Sequence, residues 1–295
     1  RAYADTLLPL PSPDFPMQLA VPVLGRLEGG DEVLDDFVRR VDRALGRARR
    51  RHPAPIIVLP ETAIPLLFDQ IPPEFLRRLT AAGSVLMGAA IRDRAGGYVN
   101  GAVAMTPTLA IESYAKVHLV PFGEFVPPGF AWFFGLVDIP MSNFRAGERK
   151  QPPLSMAGQQ VMPNICYEDL FGEELLAALP GATLLVNLSN TAWFGDSLAQ
   201  PQHLQIARMR ALETGRMILR ATNTGMTAAI APDGRLTAVL PPFTTGALQV
   251  SAQGFSGLTP FARVGNTLAV SLACLAVALA VMRRRVNGRH GTTVN

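Results

Sequence analysis

Cys166 ends a short apolar run, residues 161–165, and Tyr167, Glu168 and Asp169 follow at once. A thiol between a strand end and the first turn of a helix sits where unpaired helix N–H groups favour negative charge. That placement would turn a weak nucleophile into a thiolate. A buried structural cysteine is the competing reading, because a free thiol also behaves as a small hydrophobe. Two other residues occupy comparable places. Glu61 follows the proline-bounded apolar run 55–60, where a carboxylate must be hydrated, paired or protonated. Lys116 closes the apolar segment 109–117 and is one of only two lysines, with Lys150, in an arginine-rich chain. A compact ammonium is not interchangeable with a guanidinium where a charge must approach a reacting atom. The three types are complementary. A carboxylate takes the thiol proton and later returns it to a leaving group, the thiolate attacks an acyl carbon, and an ammonium stabilises the oxyanion. A Cys–His site built on His118 or His203 is weaker: the helix carrying His203 is explained by packing, and His118 lies beside Lys116.

Strands and helices must bring these residues together. Residues 17–24 predict a first strand after a proline-rich linker, residues 1–16. From Asp31 onward, Val33, Leu34, Phe37, Val38, Val41, Ala44, Leu45 and Ala48 recur at helical spacing opposite charged residues, which predicts an amphipathic helix. Strands are expected over 55–60, 84–91, 98–106 and 109–117, with a helix over 72–82 and a hairpin turn at 93–97. After Cys166 the pattern predicts a helix over 169–179, a strand over 183–188, a turn-rich loop over 189–196 and a helix over 202–216. Strands at 217–222, 227–231 and 236–240 complete it. This alternation, interrupted by hairpins, predicts helices covering mixed sheets. Residues 121–147 hold Phe122, Phe125, Phe130, Trp132, Phe133 and Phe134 without regular period. They either pack beneath a long loop or form an apolar lid.

The chain has 295 residues, 48% of them hydrophobic, and a mean hydropathy of +0.22, which excludes a disordered chain and points toward a membrane. The formal charge is +4, and the basic clusters at 47–51 and 283–289 lack interleaved aromatics, so nucleic acid is not an expected partner. Cys166 and Cys274 lie in segments of different character and predict no disulfide. No metal-ligand spacing and no cofactor motif is present. Residues 264–282 carry no charge and are followed by Arg283, Arg284, Arg285 and Arg289. As a helix this segment covers roughly 28 Å, enough for a bilayer core, and the positive-inside rule keeps those arginines cytoplasmic. The region bearing Cys166 would then face the outer side. The chain opens on Arg1 with no signal-peptide layout, so a longer protein with a preceding membrane region is expected.

LPETAIP around Glu61, YAKVHLVPFGEFVP around Lys116 and ICYED around Cys166 resemble motifs of the nitrilase, or carbon–nitrogen hydrolase, superfamily, and most closely its bacterial apolipoprotein N-acyltransferase branch. PMSNFRAG, SNTAWFGDS, QHLQIARMRALETGR and RATNTGMTA extend the similarity over roughly residues 17–283. Glu168, where soluble nitrilases usually carry aspartate, favours the acyltransferase branch. The resemblance implies an α/β fold, a four-layer α/β/β/α sandwich over 17–258, then a transmembrane helix over 261–283 and a basic cytoplasmic tail over 284–295. It implies Glu61 as base, Lys116 as oxyanion stabiliser and Cys166 as nucleophile, supported by Glu124, Tyr167 and Glu168. Trp132, Phe133 and Trp193 would guard a greasy entrance. The implied reaction moves an acyl chain from a phospholipid, through a thioester, to the amino group of a diacylated apolipoprotein at the periplasmic face of the bacterial inner membrane, without cofactor or metal. Alternatives are an anchored amidase that releases its acyl-enzyme to water, and an inactive lipoprotein-binding module. The chain departs from the branch at Thr191, where aspartate is common, and lacks the usual turn after the first strand and the branch's N-terminal helical bundle.

Overall fold

Apolar strands separated by turn-rich connections form two six-stranded sheets in a computed structural model, which describes residues 15–21, 39, 56–64, 66–81, 83–93, 96–130 and 143–290. The helix expected over 31–48 (Arg39 apart), most of the proline-rich linker, and the aromatic residues Trp132, Phe133 and Phe134 lie outside the described residues. The first sheet holds β1 (Phe15–Val21), β2 (Ile56–Val58), β3 (Ser84–Arg92), β4 (Tyr98–Met105), β5 (Ile111–Ala115) and β12 (Gly246–Ala252), in the order β12-β1-β2-β3-β4-β5. The second holds β6 (Leu154–Met156), β7 (Gln159–Ile165), β8 (Leu184–Ser189), β9 (Ile218–Thr222), β10 (Thr227–Ile230) and β11 (Leu236–Leu240), in reverse chain order.

Each sheet has a parallel triplet at its centre, β1-β2-β3 and β7-β8-β9, flanked by antiparallel strands. The carboxyl ends of a parallel triplet share one edge. In the first sheet β4 is antiparallel to β3, and β5 is antiparallel to β4, so β5 ends and β4 begins on that same edge. This connectivity gathers the functional residues at strand ends, the usual place for sites in such sheets.

The sheets share an apolar core in which Ile56, Val58, Leu86 and Ala102 join Val161, Ile165, Leu184 and Val186. Helix α1 (Pro73–Thr80) covers the other face of the first sheet, setting Phe75, Leu76 and Leu79 against Ile57, Val85 and Met87. After the single turn α2 (Gly172–Leu175), helix α3 (Ala199–Thr214) covers the second sheet with Leu204, Ala207 and Ala211. Each large side chain buried this way contributes about 1.5–3 kcal/mol. The result is the helix-sheet-sheet-helix sandwich that the family resemblance implies, with helices covering mixed sheets as the alternation of elements predicts.

Several boundaries differ from expectation. The helix expected over 169–179 is broken into a 3-10 turn (Cys166–Leu170), the short α2 and a second 3-10 turn (Leu176–Ala178). Glu168 and Asp169 are drawn inward there by partners that a regular helix would leave out of reach. Helix α3 starts at Ala199 rather than residue 202 and is stopped by Gly215 in the left-handed conformation (φ 65°). Edge strands β6, only three residues long, and β12, of mixed polarity, are additional to the expected elements, because neither carries a clear periodic signal. At the C-terminus, Gly265 (φ 55°) separates α4 (Pro260–Val264) from α5 (Thr267–His290). Over Thr267–Arg284 the last helix is apolar and wholly exposed, and among the described residues it alone has the length and composition to cross a membrane.

Candidate active site

Glu61 lies just beyond β2, in a turn where Thr62 adopts φ 49°. Its place depends on Gly88 in the adjacent β3. A Cβ at Gly88 would lie 2.4 Å from the Glu61 Cα and 2.9 Å from the Pro60 carbonyl oxygen. Two backbone hydrogen bonds, Gly88 N to Pro60 O (3.1 Å) and Ala63 N to Gly88 O (3.2 Å), fasten the turn to the strand. Glu61 is thereby held nearly fully buried at the sheet edge.

Lys116, immediately after β5, is also buried, and its backbone N–H donates to the carbonyl of Asn100 (2.8 Å) within β4. Its Nζ lies 2.9 Å from Glu124 Oε2 and 3.7 Å from Glu61 Oε1. Asn100 Nδ2 donates to both Glu61 Oε1 (2.7 Å) and Glu124 Oε1 (2.6 Å), tying the two acids together. Val120 N fixes the far oxygen of Glu124 (2.8 Å), and Asn190 N, just past β8, donates to Glu61 Oε2 (2.7 Å). Burial works against the Lys116 ammonium, but the carboxylates of Glu61 and Glu124 outweigh it and raise its pKa, so the lysine stays charged.

Cys166 follows β7 in a left-handed backbone conformation, φ 49°, rare for a residue with a side chain. Burial, and next the charge of Glu61, push its thiol well above the usual range, with Lys116 acting in the opposite direction. The direction is opposite to that of the expected helix-stabilised thiolate. The turn that starts at Cys166 is a five-residue 3-10 turn rather than a long helix, so it offers few aligned N–H groups to a negative charge. A thiol raised in this way favours its protonated form.

Glu168 accepts hydrogen bonds from Ile165 N (2.6 Å), Val117 N (2.7 Å), the Tyr114 hydroxyl (2.8 Å) and His118 N (3.3 Å). One side chain thus joins the Cys166 turn in the second sheet to the segment after Lys116 in the first. Burial raises its pKa, with those donors opposing the rise. Tyr167 is half-buried, its ring edge-on to Phe171 (5.2 Å between centroids) and to His118 (5.6 Å). His118 stacks on Phe171 and pairs with Glu174 (3.0 Å), while His203 pairs with Asp169 (3.1 Å). Neither imidazole ranks among the chief influences on the Cys166 thiol.

Thr191 is completely buried, its Oγ1 3.2 Å from the Thr224 hydroxyl and its N–H donating to Asn223 Oδ1 (2.9 Å). This position shapes the loop that carries the Asn190 N–H to Glu61. Trp193 follows on a 3-10 turn and is 83% exposed. Trp132 and Phe133 lie outside the described residues. Asn100, Gly88, Tyr114 and the Asn190 N–H were missed by sequence reasoning. Asn100 sits mid-strand and Gly88 reads as a small core residue, so neither carries a local signal. Among the described residues no cluster of His, Cys, Asp or Glu suits a metal ion.

A doubled α/β sandwich carries these side chains at its facing edges. Solved structures share the fold. An amidase from Nesterenkonia sp. superposes with a TM-score of 0.62 at 20% identity, over 83% of this chain and 93% of that one. Saccharomyces cerevisiae Nit3, a member of branch 10 of the nitrilase superfamily, gives 0.60 at 16% identity, over 81% and 90%. The carbon-nitrogen hydrolase family pattern matches residues 30–254, and the chain belongs to that family. Among curated relatives, the apolipoprotein N-acyltransferase of Ralstonia nicotianae is 51% identical over 246 residues, 80% of this chain and 47% of that protein. The Nitrosomonas europaea protein of the same name is 48% identical over 248 residues, 81% and 50%. The chain spans about half the length of the curated relatives it matches.

Proposed function

We propose that this chain is the catalytic part of an apolipoprotein N-acyltransferase. It would move an acyl chain from a phospholipid to the terminal amine of a diacylated apolipoprotein through a thioester on Cys166. The observation that carries the reading is the buried Glu61–Asn100–Glu124–Lys116 network at the sheet edge, within electrostatic reach of Cys166. The identity to N-acyltransferases supports it.

The chemistry follows from the protonation states. Glu61 takes the Cys166 proton as sulfur attacks the donor ester carbonyl, and the Lys116 ammonium, kept charged by its acids, balances the oxyanion. Collapse breaks the C–O bond, and Glu61 returns its proton to the departing lysophospholipid oxygen. The acceptor amine then attacks the thioester, Glu61 takes a proton from it, and as the C–S bond breaks Glu61 gives that proton to the leaving sulfur, restoring the thiol. Both halves pass through an oxyanion at one carbonyl carbon, so one lysine serves twice. Glu124 orients Lys116, Glu168 and Tyr167 brace the nucleophile's turn, and Trp193, with Trp132 and Phe133, meets the acyl chain. The exposed apolar helix α5 would anchor the sandwich (residues 17–258) in the inner membrane, with Arg283–Arg285 in the cytoplasm and the site facing the periplasm.

Intact-mass analysis of the detergent-solubilised chain after incubation with phospholipid tests this reading. The expected product is a hydroxylamine-sensitive acyl adduct on Cys166 that a diacylglyceryl-cysteine peptide discharges. Cys166→Ala removes only the sulfur and abolishes the adduct at unchanged melting temperature. Acylation that persists in this variant would disprove the nucleophile's identity.

A further inference from the structure

Behind Cys166, on the α3 side of the second sheet, lies a fully buried polar cluster that the chemistry above does not use. Asn164, Asn187 and Arg220 are register neighbours across β7, β8 and β9, forming one row beneath the helix. The Arg220 guanidinium donates to Asn187 Oδ1 and, at 3.1 Å, to Asp169 Oδ2. His203, from α3, brings Nδ1 to 3.1 Å from Asp169 Oδ2 and 3.0 Å from Arg220 Nη2. Asp169, Arg220 and His203 all have less than a tenth of their surface exposed. Such an ion pair is a poor source of stability, since desolvating both charges consumes most of their attraction. The cluster is also incompletely satisfied, with Asp169 Oδ1, Arg220 Nε and Asn164 Nδ2 making no hydrogen bond.

Its location gives it another use. Glu168 pulls the Cys166–Leu170 turn toward Lys116 in the first sheet, while the next residue, Asp169, is held from the opposite side by β9 and α3. Cys166 sits at the head of this doubly fastened turn in its left-handed conformation. Strain of that kind, on the order of 1–3 kcal/mol, persists only where surrounding contacts over-determine it. We infer that Asp169, Arg220 and His203 form a positioning cluster that locks the nucleophile's turn, aligning the Cys166 sulfur with Glu61 and Lys116. The inference rests on the reading of Cys166 as the nucleophile. Asp169 and Arg220 also act on the thiol with opposite sign, which places both within electrostatic reach of the sulfur.

The test compares two reactions of Cys166 in the full chain: acylation by p-nitrophenyl palmitate and alkylation by iodoacetamide. Alkylation needs only an accessible thiolate, whereas acylation needs the sulfur aligned with the lysine and the carboxylate. Asp169→Asn/Arg220→Gln removes both charges together, so no buried charge is stranded. The expected result is a ratio of acylation to alkylation at least about tenfold below wild type, from lost alignment. Equal changes in both rates, or none, would mean that the cluster only supports the fold and would overturn the inference. His203→Gln keeps the ion pair and serves if the double variant does not fold. A ratio two- to fivefold below wild type at unchanged melting temperature is expected for it from the loss of one contact, and a wild-type ratio there also overturns the proposal. A wild-type chain that is alkylated and is acylated by the activated ester, yet not by phospholipid, contradicts the proposed donor and leaves the positioning role standing.

Discussion

Two sets of largely buried carboxylates lie near Cys166 in the fold, Glu61 with Glu124 and Glu168 alone, and they are built differently. Glu61 and Glu124 share the Lys116 cation and the Asn100 amide, and Glu61 has one backbone donor, Asn190 N. Glu168 has no such cation as a direct partner and accepts instead from three backbone N–H groups and a tyrosine hydroxyl. A carboxylate that exchanges protons must gain a hydrogen while stranding few donors, and among the described residues Glu61 accepts only two hydrogen bonds, from Asn100 Nδ2 and Asn190 N. A carboxylate saturated with donors cannot accept a proton without losing bonds, which suits it to bracing rather than to proton transfer. Burial alone therefore does not identify a proton-transfer acid.

The sharpest way to break this comparison is Glu61→Gln. Acylation of Cys166 should fall by roughly 10²–10⁴-fold with the loss of the base. Alkylation by iodoacetamide should move the other way. Burial still holds the thiol high, but one carboxylate that raises its pKa is gone while Lys116 remains, so the alkylation midpoint shifts to lower pH. A midpoint that stays or rises would show that Glu61 does not act on the sulfur.

Lys116→Met removes the cation that distinguishes the two groups. Acyl-enzyme formation is expected to drop by about 10²–10³-fold, as when an oxyanion donor is lost, and leaving the two buried acids without their cation costs about 3–5 kcal/mol in urea unfolding. The sign of the pH dependence follows from the raised lysine pKa. The stabilisation is complete below the ordinary lysine value of 10.5 and is lost only as pH rises through the higher folded value. The difference between wild type and variant should thus be the same at pH 7 and pH 9.

Glu168→Gln probes the brace. The replacement amide directs N–H toward backbone N–H groups, and the stranded donors cost about 1–3 kcal/mol. Acylation should fall roughly tenfold as the turn loosens relative to Lys116, while the pH of Cys166 alkylation changes far less than in Glu61→Gln. Similar alkylation shifts in both variants would erase the distinction between proton acceptor and brace. The smallest effect is expected from Gly88→Ala, whose methyl group forces the Glu61 turn outward. A several-fold loss of acylation, with stability lowered by about 1–3 kcal/mol from overpacking and the Glu168 contacts intact, would confine the damage to one side.

Much of this protein is set by local pattern. Apolar runs bounded by proline and turn residues specify the strands, and the recurrence of Leu204, Ala207 and Ala211 specifies the covering helix, because burial of one face is a local periodic property. The types and strand-end positions of Glu61, Lys116 and Cys166 are equally legible, since charged or nucleophilic groups beside buried strands are costly and hence conspicuous. The uncharged stretch ending in Arg283 is legible for the same reason. The tertiary structure decided the rest. Only pairing across the sheets reveals that Asn100 bridges two acids, that Glu168 ties the turn of Cys166 to Val117, and that Gly88 must lack a Cβ beneath Glu61. The state of the thiol was likewise decided in three dimensions. A helix start read along the chain predicts a thiolate, but desolvation and the nearby Glu61 charge depend on what packs around the sulfur, and they favour the neutral form.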